Sequence, residues 1–299
     1  MMHDLPFVDA HVHLWDLGRI HYPWLTAPFG DDGPNGSVEA IAHDYLLEDY
    51  RVESARWNVA GMVHVEAGAA AAHALLETAW VDEIAETEGL PSGLVAFAAL
   101  DDPDVGSLLA AHARHERVRG VRHIVNWHLD PRRTYSPRDL TGDAAWQAGF
   151  ALLAKYGLSF DCQAYPAQFP TLARLFARHP EIPVILNHAG MGIDDPAEWR
   201  SGMRLLAALP HVSTKISGLG FAFRPWNRAL IEPRVRETIE IFGAERCMFA
   251  SDFPTDRLFA SFDATLGTYA DATHDMTEAE RRALWGGNAN RIYRLGLEL

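Results

Sequence analysis

The sequence predicts an α/β fold, a (β/α)8 TIM barrel, and three observations carry that prediction. Short apolar or β-branched runs alternate with longer amphipathic segments. Several runs, such as Val184-Ile185-Leu186, are apolar on both parities, as suits parallel strands covered by helices on one side and a barrel interior on the other. The length of 299 residues suits eight such repeats closing into one domain, residues 1–299. An open doubly wound sheet is the competing arrangement, but no Gly-X-Gly-X-X-Gly or Walker-type loop follows any run.

Eight strands are expected, at Phe7 to His13, Val59 to Ala67, Leu94 to Leu100, Val118 to Val125, Leu158 to Ala164, Pro183 to Ala189, Val212 to Ser217 and Arg246 to Asp252. Helices are expected between them at Ala70 to Glu88, Thr141 to Tyr156, Phe169 to Arg178, Pro196 to Leu209 and Pro233 to Phe242. In Thr141 to Tyr156 the residues Trp146, Phe150, Leu153 and Ala154 share one face, and Gly157 supplies a stop. The first strand runs into a long loop, Leu14 to Ser37, rich in Pro and Gly and carrying Trp15, Tyr22 and Trp24. Loops of that length in compact domains are usually lids or binding loops. Past the eighth strand, Thr277 and Glu280 stand at capping-box spacing before Gly286-Gly287 and an extra C-terminal helix from about Asn288, expected to pack on the barrel.

A net charge of -14 argues against nucleic acid or an anionic membrane surface as partner, and no run of 18 apolar residues occurs. Cys162 and Cys247 each lie in an apolar run and read as reduced core residues. Met1 to Pro6 lacks the pattern of a secretory leader, so a cytoplasmic protein is expected. Whether like chains pair as a homo-oligomer is left open.

In barrels of this kind the active site sits at the C-terminal ends of the strands. By strand alternation Asp9, His11 and His13 would share one face of the first strand. The later strands bring Glu66 with His64 below it, Arg122, Asp161 and Gln163, Asn187 and His188, Lys215, and Ser251 and Asp252. Burying so many polar groups apart from one another would cost several kcal/mol each, which points to one shared site. Arg122 and Lys215 suggest a substrate with carboxylate or hydroxyl oxygens, unless they pair internally with Glu66 and Asp161. Tyr22, Trp24, Trp127, His128, Arg224 and Trp226 lie in loops at the same end and are candidates for the pocket wall. The remaining histidines, such as His112, fall in or beside helices and read as solvated or capping.

Taken in order, Asp9-Ala10-His11-Val12-His13-Leu14-Trp15-Asp16, Tyr22-Pro23-Trp24-Leu25, Gly120-Val121-Arg122, Leu186-Asn187-His188-Ala189-Gly190, Lys215-Ile216-Ser217-Gly218, Ser251-Asp252-Phe253-Pro254 and Asn288-Ala289-Asn290-Arg291 resemble the amidohydrolase superfamily. The nearest resemblance is to its amidohydrolase-2 branch, which contains sugar lactonases and 2-pyrone-4,6-dicarboxylate lactonase. The resemblance implies hydrolysis of a small lactone, with Asp252 handling the proton of the attacking water and His11, His13 and His188 matching the family's imidazoles. Binuclear members carry a bridging Lys or Glu on the fourth strand and a His on the fifth. Here Arg122, Asp161 and Gln163 stand there, so two metals are not expected. His11, His13, His188 and Asp252 suit one divalent ion, zinc by ligand type, and metal-independent catalysis is the close alternative. His188 could instead donate to an oxyanion. The rival activities are a metal-dependent decarboxylase of an unsaturated or aromatic acid and a non-catalytic barrel that binds a small acid.

Overall fold

The computed structural model describes residues 5–299; the region searched for a leader lies mostly outside them. Eight parallel strands pair in chain order: β1 (Phe7–Val12), β2 (Val59–Val65), β3 (Gly93–Phe97), β4 (Val118–Arg122), β5 (Ser159–Cys162), β6 (Val184–Leu186), β7 (Val212–Ile216) and β8 (Cys247–Phe249). The barrel closes where Val12 bridges Phe253, the His13 amide donates to the Phe253 carbonyl at 2.8 Å and the Asp252 amide to the His11 carbonyl at 2.9 Å. All eight expected strands are present and end one to three residues earlier than expected.

The expected helices form the outer layer. Phe169–Arg178 has the bounds read from the sequence, and Thr141 to Tyr156 becomes Ala144–Ala151 and Leu153–Tyr156, capped by Asp143, which accepts from two amides. Its Trp146 and Phe150 pack on Phe160 of β5 as intended by their spacing. The helix expected from Pro233 starts earlier, at Arg228, because the Asn227 side chain caps the Ala229 amide and Pro233 is carried inside the helix. Helices Leu47–Ser54, Val105–His112 and Phe262–Ala272 had no signal strong enough to be read. His112 is buried and not solvated, standing between the Thr78 hydroxyl and the Phe97 carbonyl, because its helix ends against β3.

The C-terminal segment closes the barrel floor. Thr277 and Glu280 form the capping box read from the sequence, and Asn288 donates to the Ala244 and Cys247 carbonyls at 2.7 Å each. The last helix, Asn288–Ile292, thereby delivers Tyr293 into the interior cluster with Val8, Ala10, Val65, Ile185 and Met248. Both cysteines are free and buried, and burial pushes their thiols up, which keeps them inert. Among the described residues no helix is long and apolar enough to cross a membrane.

Candidate active site

The alternation expected along β1 is broken. Asp9 faces Met62 and Val12 faces His64, so three steps of β1 oppose two of β2, the signature of a bulge. Val8 and Ala10 therefore fill the interior, and Asp9 turns away from the site to accept from the Ser251 amide (2.8 Å), the His11 amide (3.3 Å) and the Tyr50 hydroxyl (3.2 Å). Burial pushes its carboxyl up to about 6. After the bulge, His11 and His13 both face inward.

Asp252 and His188 reach the site by another device. Both follow their strands in the left-handed region, at φ 59° and 55°, a conformation that costs a non-glycine residue about 1–3 kcal/mol and clusters at functional sites. Gly218, at φ 60°, passes so close to the His188 ring that a Cβ there would strike it. The His188 Nδ1 lies 3.1 Å from the Ser217 hydroxyl and 3.8 Å from Asp252 Oδ2.

Three ligand-type atoms then converge. His11 Nε2 and His13 Nε2 are 3.2 Å apart, and each lies 3.4 Å from Asp252 Oδ1. Four atoms placed tetrahedrally around zinc at about 2.0–2.1 Å are about 3.3 Å from one another, so this triangle has the edge that a zinc ion requires. The His13 Nδ1 lies 2.8 Å from the Val65 carbonyl, which takes the ring proton and leaves a lone pair on Nε2. Burial, followed by the charge of Lys215, holds His11 neutral well below its ordinary range, and burial takes His188 down to about 4 despite Asp252. For Asp252, burial alone would raise the carboxyl, but His188, His13 and Arg122 outweigh it and hold the group below the usual carboxylate range. Imidazole nitrogens with a carboxylate oxygen are the donor set a divalent ion takes. These residues fit zinc, and His188 stands beside the triangle within reach of the same carboxylate.

The cations are placed differently from a substrate clamp. Arg122 Nε donates to Glu66 Oε1 at 2.5 Å, Nη2 to the Glu66 carbonyl at 2.6 Å and Nη1 to Gln163 at 3.1 Å, with His11 Nε2 at 3.4 Å. Lys215 is paired with Asp161 at 2.5 Å, and the same oxygen accepts from the Tyr293 hydroxyl at 2.8 Å. Lys215 and Asp161 are fully buried below His11, whose Nδ1 is 3.3 Å from the lysine Nζ, so neither meets a ligand in the cavity. The internal pairing foreseen as the alternative is what the structure contains.

Above the triangle opens a cavity of about 490 Å³. His13, Arg122, Gln163, His188 and Asp252 form its floor, and the loop that follows β1 forms about half its wall. Trp24 takes its expected place there, its Nε1 donating to the Ala67 carbonyl at 2.7 Å and its ring packed on Gly68, at φ 74°, where a Cβ would collide. The loop is latched by Tyr135, which donates to Asn35 at 2.5 Å, and by Arg224, which donates to the Pro34 carbonyl.

Five candidates for the wall are elsewhere. Tyr22 is buried in the core beside Glu77, because the turn at Pro23 swings Trp24 and not Tyr22 into the cavity. His128 lies against Asp194 at 3.3 Å and the edge of Tyr165. Arg224 is drawn over Phe259 as a latch, and Trp127 and Trp226 do not line the cavity. His64 accepts from the Leu14 amide on the far side of β2. The sequence carries no periodic signal for Tyr135, Asn35 and Asp32, which line the cavity from loops, or for Phe221, which lines it from the one-turn helix Leu219–Ala222. Sequence reasoning also missed Asp256, whose buried carboxyl is pushed well up by burial and by Asp252. The Asp252-X-X-X-Asp256 spacing was the available signal.

Glu77 gives a pH-dependent stability. Its buried carboxylate accepts from the Ala67 amide at 3.0 Å, and burial followed by the charge of Glu66 pushes it up to about 8. The native state thus keeps a proton that the unfolded chain has lost, so stability falls as pH rises from the ordinary glutamate range through about 8. Thermal unfolding at pH 6 and pH 9 should show a lower Tm at pH 9, and Glu77→Gln should flatten that difference. An unchanged difference would place the titration elsewhere.

A family model described as Amidohydrolase matches residues 8–295. The Uncharacterized protein y4mH of Sinorhizobium fredii is 38% identical over 98% of this chain and 100% of its own length. An L-fucono-1,5-lactonase of Burkholderia multivorans is 31% identical over 96% of each chain. A crystal structure of an amidohydrolase from Burkholderia multivorans with bound zinc has a TM-score of 0.80 at 29% identity, covering 97% of this chain and 99% of that one.

Proposed function

Because the chain belongs to the amidohydrolase family, we propose that it is a lactonase that opens a small cyclic ester by attack of an activated water. The observation that carries this reading is the meeting of His11 Nε2, His13 Nε2 and an ionised Asp252 at the floor of a cavity of about 490 Å³. The lactonase name and the bound zinc of the relatives support it.

In this reading His11, His13 and Asp252 hold one divalent ion, with His188 adjacent. Such an ion supplies Lewis-acid polarisation of a carbonyl oxygen or of water. Asp252 takes the proton of the attacking water as the new C–O bond forms. The carbonyl oxygen becomes an oxyanion, facing Arg122 and His188, and losing one such donor typically costs about 3–4 kcal/mol. When the intermediate collapses, the ring C–O bond breaks and Asp252 returns the proton to the leaving alkoxide. Trp24, Phe29 and Phe221 give the cavity its aromatic walls.

The test is elemental analysis of the purified protein with a panel of lactones followed by pH-stat, before and after chelation. Expected are about one zinc per chain, acid release from a lactone and loss of turnover on chelation that zinc restores. Full activity in metal-free protein would keep the lactonase and remove the metal. Silence on every lactone, with gas released from an unsaturated acid, would replace the reading with the decarboxylase.

A further inference from the structure

Gln163 directly follows β5 and, two residues on from the inward Asp161, shares its inner face. It lines the cavity floor and is buried but for 4% of its surface. Its backbone carbonyl accepts from the Val125 amide at 3.1 Å, which fixes the main chain there. Arg122 fixes the side chain. A guanidinium can only donate, so the amide group facing Arg122 Nη1 at 3.1 Å is the oxygen, Oε1, and the NH2 group is turned away from it.

Arg122 is itself held in place. Its Nε donates to Glu66 Oε1 at 2.5 Å and its Nη2 to the Glu66 carbonyl at 2.6 Å, while Glu66 Oε2 accepts from the Gly68 amide at 2.8 Å. Bonds to ionised groups are about twice as strong as neutral ones, so this chain of contacts is rigid. It ends on Gln163 Nε2, which has no acceptor among the described residues and is open to the cavity. The lining hydroxyls of Thr26, Thr134 and Tyr135, by contrast, already donate within the protein, to the Tyr22 carbonyl, the Ser136 carbonyl and Asn35. Arg122 Nη1 lies 3.4 Å from His11 Nε2, so the Gln163 amide stands two hydrogen-bond lengths from the imidazole–carboxylate triangle.

Resting on the lactonase reading, we propose that Gln163 is a catalytic donor, its Nε2 binding the lactone carbonyl oxygen, with Glu66 and Arg122 as the residues that position it. As water adds to the carbonyl carbon, the C=O electron pair moves onto that oxygen and the bond from Nε2 strengthens; no proton leaves Gln163. A donor already aimed at the oxygen needs no reorganisation when the charge develops.

The experiment measures kcat, KM and zinc content for Gln163→Met and Gln163→Glu on a lactone that the unmodified protein opens. Methionine has a similar length and no donor; glutamate keeps an oxygen for Arg122 and loses the donor. Both variants should lose about 10²- to 10³-fold in kcat/KM, as for one oxyanion donor, with most of the loss in kcat and zinc content unchanged. If Gln163 served only to hold Arg122, the glutamate would hold it at least as firmly and Gln163→Glu would keep its rate. If the added charge alone mattered, Gln163→Met would keep its rate. Either result overturns the proposal. If the unmodified protein opens no lactone, the lactonase reading fails, and calorimetric binding of the same lactones decides the donor. Binding weakened about threefold or more in Gln163→Met, the worth of a neutral hydrogen bond, upholds it, and equal or undetectable binding to both proteins overturns it.

Discussion

Asp252→Asn is expected to lower kcat for lactone hydrolysis by about 10²- to 10⁴-fold while the protein stays folded. The side chain lies where three demands meet. Its Oδ1 is 3.4 Å from both His11 Nε2 and His13 Nε2, its Oδ2 faces His188, and its ionised form is held below the usual carboxylate range against the cost of burial. An amide of the same shape keeps the packing and loses the charge, so it can neither accept the water proton nor contribute a carboxylate oxygen to a divalent ion. Zinc content should fall with the rate, because one of the three converging ligands becomes neutral. The checks are steady-state kinetics, elemental analysis and circular dichroism. An Asn variant with near-normal kcat would remove Asp252 from the proton-transfer role.

The largest effect on stability is expected at the barrel floor. Lys215→Met should destabilise the fold by about 3–5 kcal/mol, because it leaves the Asp161 carboxylate fully buried with the Tyr293 hydroxyl as its remaining partner. The ion pair itself need not stabilise, since desolvating two charges costs about as much as their attraction returns. A double variant, Lys215→Met with Asp161→Leu, should therefore recover most of the loss. Urea unfolding of the two single variants and the double variant measures this. Single variants within about 1 kcal/mol of the unmodified protein would show that the floor tolerates an unpaired charge.

Much of this was legible in the sequence because it is written locally. Runs such as Val184-Ile185-Leu186 and the face formed by Trp146, Phe150 and Leu153 depend on neighbours within a few residues. The polar residues at strand ends were visible for the same reason. The helix Val105–His112, by contrast, is short and apolar nearly throughout, so it shows no polar face to give its period away. Tyr22 and Trp24 are both aromatic and two residues apart; which of them faces the cavity is decided by the turn at Pro23, not by composition.

By itself, then, the sequence determined the eight-stranded barrel and set polar residues at the ends of its strands, since periodicity and residue type are local properties; the family resemblance singled out His11, His13, His188 and Asp252 among them. Only the tertiary structure decided that a bulge removes Asp9 from the site, that left-handed residues turn His188 and Asp252 across the mouth, and that Arg122 and Lys215 are spent on Glu66 and Asp161. Those outcomes depend on which strand lies beside which and at what register. Partners 56 and 54 residues apart in the chain compete for the same charge, and no local pattern records who wins.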